Sequence, residues 1–431
     1  MSTYVEPDLK FVKGVISAGG DTLKRCYQCA TCAVICPLST DEVPFPRKQM
    51  ILAQWGMADR IAKDPAIWLC HQCSDCTAYC PRGARPGDVL AAIRAMTIRE
   101  LSEPKFLWSL YNNLGGLIVL FGLAIGVILA AIFVANKGIP HLEVPVRFSH
   151  GLFHGFLPVI YVDAIFLPLV GFVALVSMRG VSMLWKQMSA GFHVPEAYRP
   201  TTGELVSNYV IPAIKEILAH ERFKKCGVNF NRFTGHRFVL WAFIILFIVT
   251  NIVFIGADFL GFHTPWPLWN PVKIFANLGA IILIYGTILL IQNRKAREAE
   301  GVMKGSFADW FLLYLILFIG LTGLGAEILR LLNLKIAYPM YIAHLACVFV
   351  LFLGLPYSKF AHLLYRTTVM VYDRYITDVR AKMEASAPVA KEEVSEEATE
   401  EAAEEGEAQE ASESEASAEE EASSEEEKKE S

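Results

Sequence analysis

Several signatures that mark common protein classes are missing from this sequence. No C-x-x-C-H motif is present, which excludes covalent haem attachment of that kind. No serine, cysteine or histidine constellation suited to hydrolysis or nucleophilic catalysis can be picked out. Residues Met1–Leu23 hold no continuous apolar stretch, so no signal peptide is expected. Of ten cysteines, only Cys226 and Cys347 lie outside the stretch from Cys26 to Pro81, which argues against a disulfide-stapled secreted scaffold and for a reducing compartment. The first 105 residues show little β-branched alternation, so no sheet is expected there. Aromatic residues are absent after about Ser386, where Glu, Ala and Ser dominate. Such a segment cannot bury enough surface to fold, and a disordered acidic tail over 384–431 is expected. Nucleic acid is not expected as a partner. The net charge of −5 conceals an asymmetry: the 19 Glu and 3 Lys after Ala390 leave the rest of the chain at +11. A basic body suits a protein seated on an anionic membrane leaflet.

What is present is concentrated first in the cysteines. Cys26-x-x-Cys29-x-x-Cys32-x-x-x-Cys36-Pro37 is repeated as Cys70-x-x-Cys73-x-x-Cys76-x-x-x-Cys80-Pro81. A four-iron cubane needs four converging thiolates. Three cysteines at this spacing wrap one face of it, and the fourth must arrive from elsewhere. In two-cluster arrangements the last Cys of each run ligates the other cluster. The spacing therefore assigns Cys26, Cys29, Cys32 and Cys80 to one [4Fe-4S] cluster, and Cys70, Cys73, Cys76 and Cys36 to the other. Zinc prefers paired C-x-x-C knuckles and has no use for the third cysteine with Cys-Pro. Between the runs, Gln49–Trp55 reads as a helix closed by Gly56. After Pro86-Gly87 a helix is expected from Asp88 to about Leu101, with Arg94 and Arg99 facing a membrane or a partner, or lying on a solvated side.

Six windows are apolar for about 20 residues, long enough to cross a bilayer: 114–134, 157–176, 238–260, 274–291, 310–329 and 340–355. Lys and Arg crowd the loop 179–237, the segment 292–309 and the stretch after the last span, while the alternate loops carry few. This bias places both termini, the cysteine runs and loop 179–237 on the cytoplasmic side of the inner membrane. The fold class that follows is all-α: a helical two-cluster ferredoxin domain over 1–105, a six-helix transmembrane domain over 106–383, and the acidic tail.

Electrons inside a bilayer need a carrier, and non-covalent b haem needs axial histidines from two helices at equal depth. His344 and His362 bracket the last span, eighteen residues apart. On one helix they would share a side and stand about 27 Å apart, near opposite membrane surfaces. At the inner level the expected partner is His236. At the outer level it is His154 or His150, which share a face. His141, His193 and His220 read as ordinary loop residues.

The segment from Ala343-His344-Leu345 to Leu355-Pro356-Tyr357-Ser358-Lys359-Phe360-Ala361-His362 resembles the last span of the nitrate reductase γ-subunit cytochrome b family. In that family an earlier helix supplies both partner histidines, ten residues apart. Here His236 fits the first position and Leu246 stands at the second, which directs the second outer ligand to His154 or His150. Residues 24–100, with Pro44-Phe45-Pro46-Arg47-Lys48, resemble the small iron–sulfur subunit of heterodisulfide reductase. The fusion of these parts, with Phe223-Lys224-Lys225-Cys226, is similar to the membrane subunits of quinone-interacting membrane-bound oxidoreductase (Qmo) complexes. The resemblance implies flavin- and iron–sulfur-containing soluble partner subunits, adenylylsulfate (APS) reductase as acceptor, and menaquinone as the membrane substrate, served by two b haems. Asp163, Asp258 and Glu327 fall near the outer ends of spans. A carboxylate in apolar surroundings is costly and marks a proton route. Asp163 and Glu327 are the expected quinol-site residues, although Glu327 also has Arg330 within ion-pairing distance along a helix.

Overall fold

The computed structural model describes residues 6–41, 43–149, 154–221, 230–262 and 265–386, with the side chains of residues 230 and 231 left aside. Among the described residues every regular element is helical. The elements used below are α1 (Leu9–Ser17), α2 (Thr31–Ile35), α3 (Arg47–Gln54), α4 (Asp75–Ala78), α5 (Pro86–Leu101), α6 (Leu114–Ala135), α7 (Val159–Ser189), α8 (Phe230–Asp258), α9 (Pro271–Ala299), α10 (Phe307–Leu331), α11 (Ala337–Gly354) and α12 (His362–Ser386). The chain through Tyr375 forms one compact unit, and Ile376 onward a second. The expected tail starts three residues too early, because α12 runs to Ser386; residues 387–431 lie outside the described residues.

The N-terminal helices close around a small apolar core of Val15, Leu23, Met50, Ala53, Ile61, Val89 and Ile93. Asp8 starts α1 by accepting from the amides of Lys10 (2.8 Å) and Phe11 (3.0 Å). Gly56 ends α3 as expected. Its φ of +68° is left-handed, and a Cβ there would lie 2.8 Å from the backbone nitrogen of Asp8. The helix expected from Asp88 begins two residues earlier, with Pro86 and Gly87 in the first turn of α5. A proline costs nothing at the first helical position, where its missing N–H would have no partner.

Six helices, containing Leu114–Ala135, Val159–Ser189, Arg232–Asp258, Pro271–Ala299, Phe307–Leu331 and Ala337–Tyr357, are long and apolar enough to cross a membrane. They coincide with the six windows read from the sequence. α6 buries Leu117, Leu120, Ala124, Ile128 and Ile132 in a core shared with Leu345, Phe349, Val350 and Leu353 of α11. α8 and α9 approach through small residues. A Cβ on Gly286 would stand 2.8 Å from Cβ of Phe238 and 2.9 Å from the carbonyl oxygen of Gly235.

Two expectations need correction. The segment 179–237 is not a simple loop: α7 carries its first eleven residues, and Ile211–Ala219 is a further helix. With 31 residues, α7 is about 46 Å long and outruns a hydrocarbon core of about 30 Å. In addition, His344 and His362 do not share one continuous helix. α11 stops at Gly354, two 3₁₀ turns follow, and α12 begins at His362. Pro356 has no N–H to give to Phe352, and its ring crowds that carbonyl. Ser358 is extended (φ −119°, ψ 179°) and its hydroxyl accepts from the amide of Phe360 (3.1 Å). The single-helix separation of about 27 Å therefore does not apply.

This break is where the cysteine-bearing region joins the long helices. Ser102 Oγ donates to the carbonyl of Pro356 (2.9 Å), Tyr357 Oη to that of Glu103 (2.9 Å), and the amide of Lys304 to Asp88 Oδ2 (3.2 Å). The rings of Trp68 and Tyr365 stand 5.1 Å apart.

Candidate metal centres and their setting

The two cysteine runs repeat in conformation as well as in sequence. Gln28 and Ala30 in the first, and Gln72 and Ser74 in the second, all lie in the left-handed region. These residues flank the second cysteine of each run and curl the chain so that three cysteines turn inward. The third cysteine opens a short helix, α2 or α4, and the fourth follows that helix in extended conformation at Cys36, or near its end at Cys80.

Cys36 leaves its own run and lines one cavity with Cys70, Cys73 and Cys76, beside Phe45, Pro46 and Leu90. Cys80 is in turn an electrostatic neighbour of Cys26 and Cys32, with Cys29 close by. Among the described residues, no three Cys, His, Asp or Glu converge tightly enough for a single metal ion. Burial pushes the thiols of Cys32 and Cys36 up to about 11 and that of Cys76 well above its ordinary value. A metal must therefore displace protons to bind there. Cys29 is the exposed member of its set.

The second loop is held from outside. Arg94 of α5 donates to the carbonyls of Ile67 (3.1 Å) and Cys70 (3.3 Å) and to Gln72 Oε1 (3.2 Å). Arg94 thus turns into the protein and not, as the sequence suggested, to solvent or membrane. Arg366 donates to the Cys70 carbonyl (3.2 Å) and meets the ring of His71 (3.0 Å). Arg232 reaches the Gln72 carbonyl (2.5 Å), Arg297 the Cys73 carbonyl (2.6 Å), and Lys359 the Gln72 side chain (3.3 Å). The first loop has a lighter grip: Gln54 donates to the carbonyls of Leu23 (3.0 Å) and Cys26 (2.9 Å), and Arg47 to that of Gln28 (3.1 Å).

Beyond the second loop, the rings of His236 and His362 stand with centroids 6.1 Å apart and their planes inclined at 69°. Two imidazoles on opposite sides of one metal, each at about 2 Å, place their centroids about 6 Å apart. His362 Nδ1 donates to the carbonyl of Lys359 (2.7 Å), so its lone pair sits on Nε2. Burial pushes the His362 imidazole down to about 4, which keeps it neutral. His236 Nδ1 lies 2.9 Å from Nε2 of His220. His220 is therefore no ordinary loop residue. It is buried, holds a left-handed φ of 54° after the helix Ile211–Ala219, and burial lowers its pKa. Nothing local in the sequence marks it; its sixteen-residue separation from His236 is closed by tertiary structure.

Towards the other end, His344 Nδ1 lies 3.2 Å from Thr322 Oγ1. That hydroxyl gives its own proton to the carbonyl of Phe318 (2.6 Å), so it accepts from His344, and the imidazole lone pair again sits on Nε2. Gly323 faces this ring, and a Cβ there would stand 3.0 Å from His344 Cε1. His154 is exposed just before α7, and among the described residues it makes no ring contact with His344 of the kind that joins His236 to His362. His150 lies outside the described residues. Leu246 packs on Gly279 of α9. Of the carboxylates, Asp163 lies beside Asp258, and each keeps one buried oxygen without a hydrogen-bond partner among the described residues. Glu327 does not use Arg330: it pairs with Lys273 (2.6 Å) and accepts from Asn277 (3.4 Å), both on the neighbouring α9. Asp163 and Glu327 thus belong to two separate pairs.

Fold and site together define an iron–sulfur protein with membrane-spanning character. Residues 22–84, which contain all eight paired cysteines, match a 4Fe-4S dicluster domain. The chain is similar to one component of the H2:CoB-CoM heterodisulfide,ferredoxin reductase of Methanothermobacter thermautotrophicus, with 32% identity over 116 residues, 27% of this chain and 60% of the relative. A heterodisulfide reductase-like protein of Archaeoglobus profundus is 37% identical over 83 residues, 19% of this chain and 44% of that one. The chain therefore spans less than two thirds of either. Citrate utilization protein B of Escherichia coli is 26% identical over 287 residues, 64% of this chain and 71% of the relative, a length that necessarily takes in spanning helices. No solved structure matches the chain.

Proposed function

We propose that this protein is the membrane electron-transfer subunit of a quinone-linked oxidoreductase complex of the Qmo kind. Residues 1–105 serve as the two-cluster domain, 106–383 as a dihaem transmembrane domain, and 384–431 as a solubilising tail, with both termini cytoplasmic. Cys26, Cys29, Cys32 and Cys80 hold one [4Fe-4S] cluster; Cys70, Cys73, Cys76 and Cys36 hold the other. His236 and His362 hold the inner haem; His344 with His154 or His150 holds the outer one. Bound clusters and haems supply the one-electron carriers that a two-electron quinol needs.

The observation that carries this reading is Lys359. Its carbonyl fixes His362 Nδ1, and its ammonium binds Gln72 between Cys70 and Cys73, so the histidine pair and the second cysteine loop are held by one residue. The remaining residues orient ligands and handle protons. Thr322 fixes the tautomer of His344, and His220 orients His236. Gly323 keeps the space beside His344 clear of a side chain. Asp163, beside Asp258 and with one buried oxygen left without a hydrogen-bond partner, offers a carboxylate that accepts a proton from menaquinol; Glu327, paired with Lys273, would do so at greater cost. The partners are soluble flavin- and iron–sulfur-containing subunits that deliver to APS reductase.

The likeness to a protein named for citrate utilization supports a second reading, in which the same carrier assembly serves that process. Purification of the intact complex from membranes tests both. The Qmo reading expects flavoprotein subunits to co-purify, about eight irons in clusters, and b-haem bands in a reduced-minus-oxidised spectrum. Zinc in place of iron, or a spectrum without haem, would overturn the respective assignment.

A further inference from the structure

The two cysteine loops are near-copies, yet the charges that grip them differ. Among the described residues, one cation, Arg47, hydrogen-bonds to the backbone of the first loop, a second, Arg82, lies over its Tyr27 ring (3.9 Å), and neutral Gln54 supplies the other backbone hydrogen bonds. Five cations, Arg94, Arg232, Arg297, Lys359 and Arg366, bond to the second. They come from four separate stretches of chain, Lys359 and Arg366 sharing one, so no local sequence pattern brings the set together. Two are partly balanced: Lys359 by Asp309 (2.9 Å) and Arg297 by Glu300 (3.5 Å). Among the described residues, Arg94 has only carbonyl and amide oxygens as hydrogen-bond partners. The cations sit on the outward oxygen ends of the loop's peptide dipoles. Within the same loop, the amide of Gln72 donates to Cys70 Sγ (3.3 Å), so the gripped backbone lies directly against a ligating sulfur. Cys76 is half-buried and lines the same cavity as Cys70 and Cys73, so water screens this field only in part.

We infer that these five cations form an electrostatic collar that raises the reduction potential of the cluster held by Cys36, Cys70, Cys73 and Cys76, making it the acceptor that faces the membrane domain. The inference rests on the cluster assignment above. Reduction of a cluster held there would add one electron, which a b haem held by His236 and His362 would supply, and would break no bond. The collar would stabilise the added negative charge. Arg94 and Arg297 act through the loop and are positioning residues in this sense.

The test is an EPR redox titration of both cluster signals in the full-length complex, with iron content measured alongside. Arg94→Gln is expected to shift the oxidised-to-reduced ratio of the second cluster roughly tenfold towards oxidised at fixed potential, equivalent to about 59 mV for one electron. Arg94→Lys keeps the charge and is expected to retain most of the wild-type value. Arg47→Gln is expected to move the other signal alone, which assigns the signals to their loops. Arg297→Gln, on a different helix, repeats the experiment without touching α5. Equal shifts in Arg94→Gln and Arg94→Lys would assign the effect to hydrogen bonding and overturn the proposal. So would movement of both clusters together, no shift, or loss of four irons in both Gln variants. A wild-type protein with no cluster signals would instead overturn the cluster assignment itself.

Discussion

Single side chains carry the sharpest consequences. Cys36 and Cys80 each sit with the opposite run, so Cys36→Ser is expected to disturb the cluster of Cys70, Cys73 and Cys76, and Cys80→Ser that of Cys26, Cys29 and Cys32. Each variant should retain about four irons; two variants that damage the same EPR signal would contradict the exchange. At the histidines, His362→Ala is expected to abolish one low-spin haem signal and spare the other, with His344→Ala giving the converse. If both signals survive either change, the pairing is wrong. The cysteine pattern was readable because ligand spacing is local. His236 and His362 were readable because depth in a membrane follows from position in a span, and their rings do stand 6.1 Å apart. His220 was not readable: it lies in a region of mixed polarity, and only the fold brings it within 2.9 Å of His236.

Among the helices, α8 and α9 pack with almost no space between backbones. Gly286→Ala would put its Cβ 2.9 Å from a carbonyl oxygen, an atom that cannot turn aside. Overpacking of this kind costs about 1–3 kcal/mol, which a thermal melt in detergent should register as a lowered midpoint. Gly126→Ala on α6 meets nothing within 4 Å and serves as the neutral control. Asp163→Asn removes an acid of α7 that lies beside Asp258 of α8, and is expected to slow haem reduction by a menaquinol analogue at normal haem content. Glu327→Gln leaves Lys273 without its carboxylate, so its haem content must be checked before any rate is compared. Unchanged kinetics in both would remove the outer-side quinol site. All six spans were legible because their length and apolarity are local properties. The break between α11 and α12 was hidden because the apolar pattern runs on past Gly354. Pro356 signalled a stop, but periodicity alone did not show that His362 starts a new helix.

At the scale of the whole molecule, the spanning helices and the cysteine-bearing region are coupled through backbone oxygens. The collar was beyond the reach of sequence reasoning, since its members are distributed from Arg94 to Arg366 and each reads alone as surface charge. The left-handed residues Gln28, Ala30, Gln72 and Ser74 add a mechanical side to this coupling. None is glycine, and each pays about 1–2 kcal/mol for its conformation. Each loop behaves as a sprung clasp, kept closed by whatever its sulfurs hold. Stripping the metal should let the clasps open, and the second would then release the carbonyls of Cys70, Gln72 and Cys73 from the arginines of the helices beyond. The spanning helices would thus register an empty N-terminal region without any partner protein to report it. Limited proteolysis of chelator-treated membranes should then cut within residues 26–80 well before any spanning helix is lost.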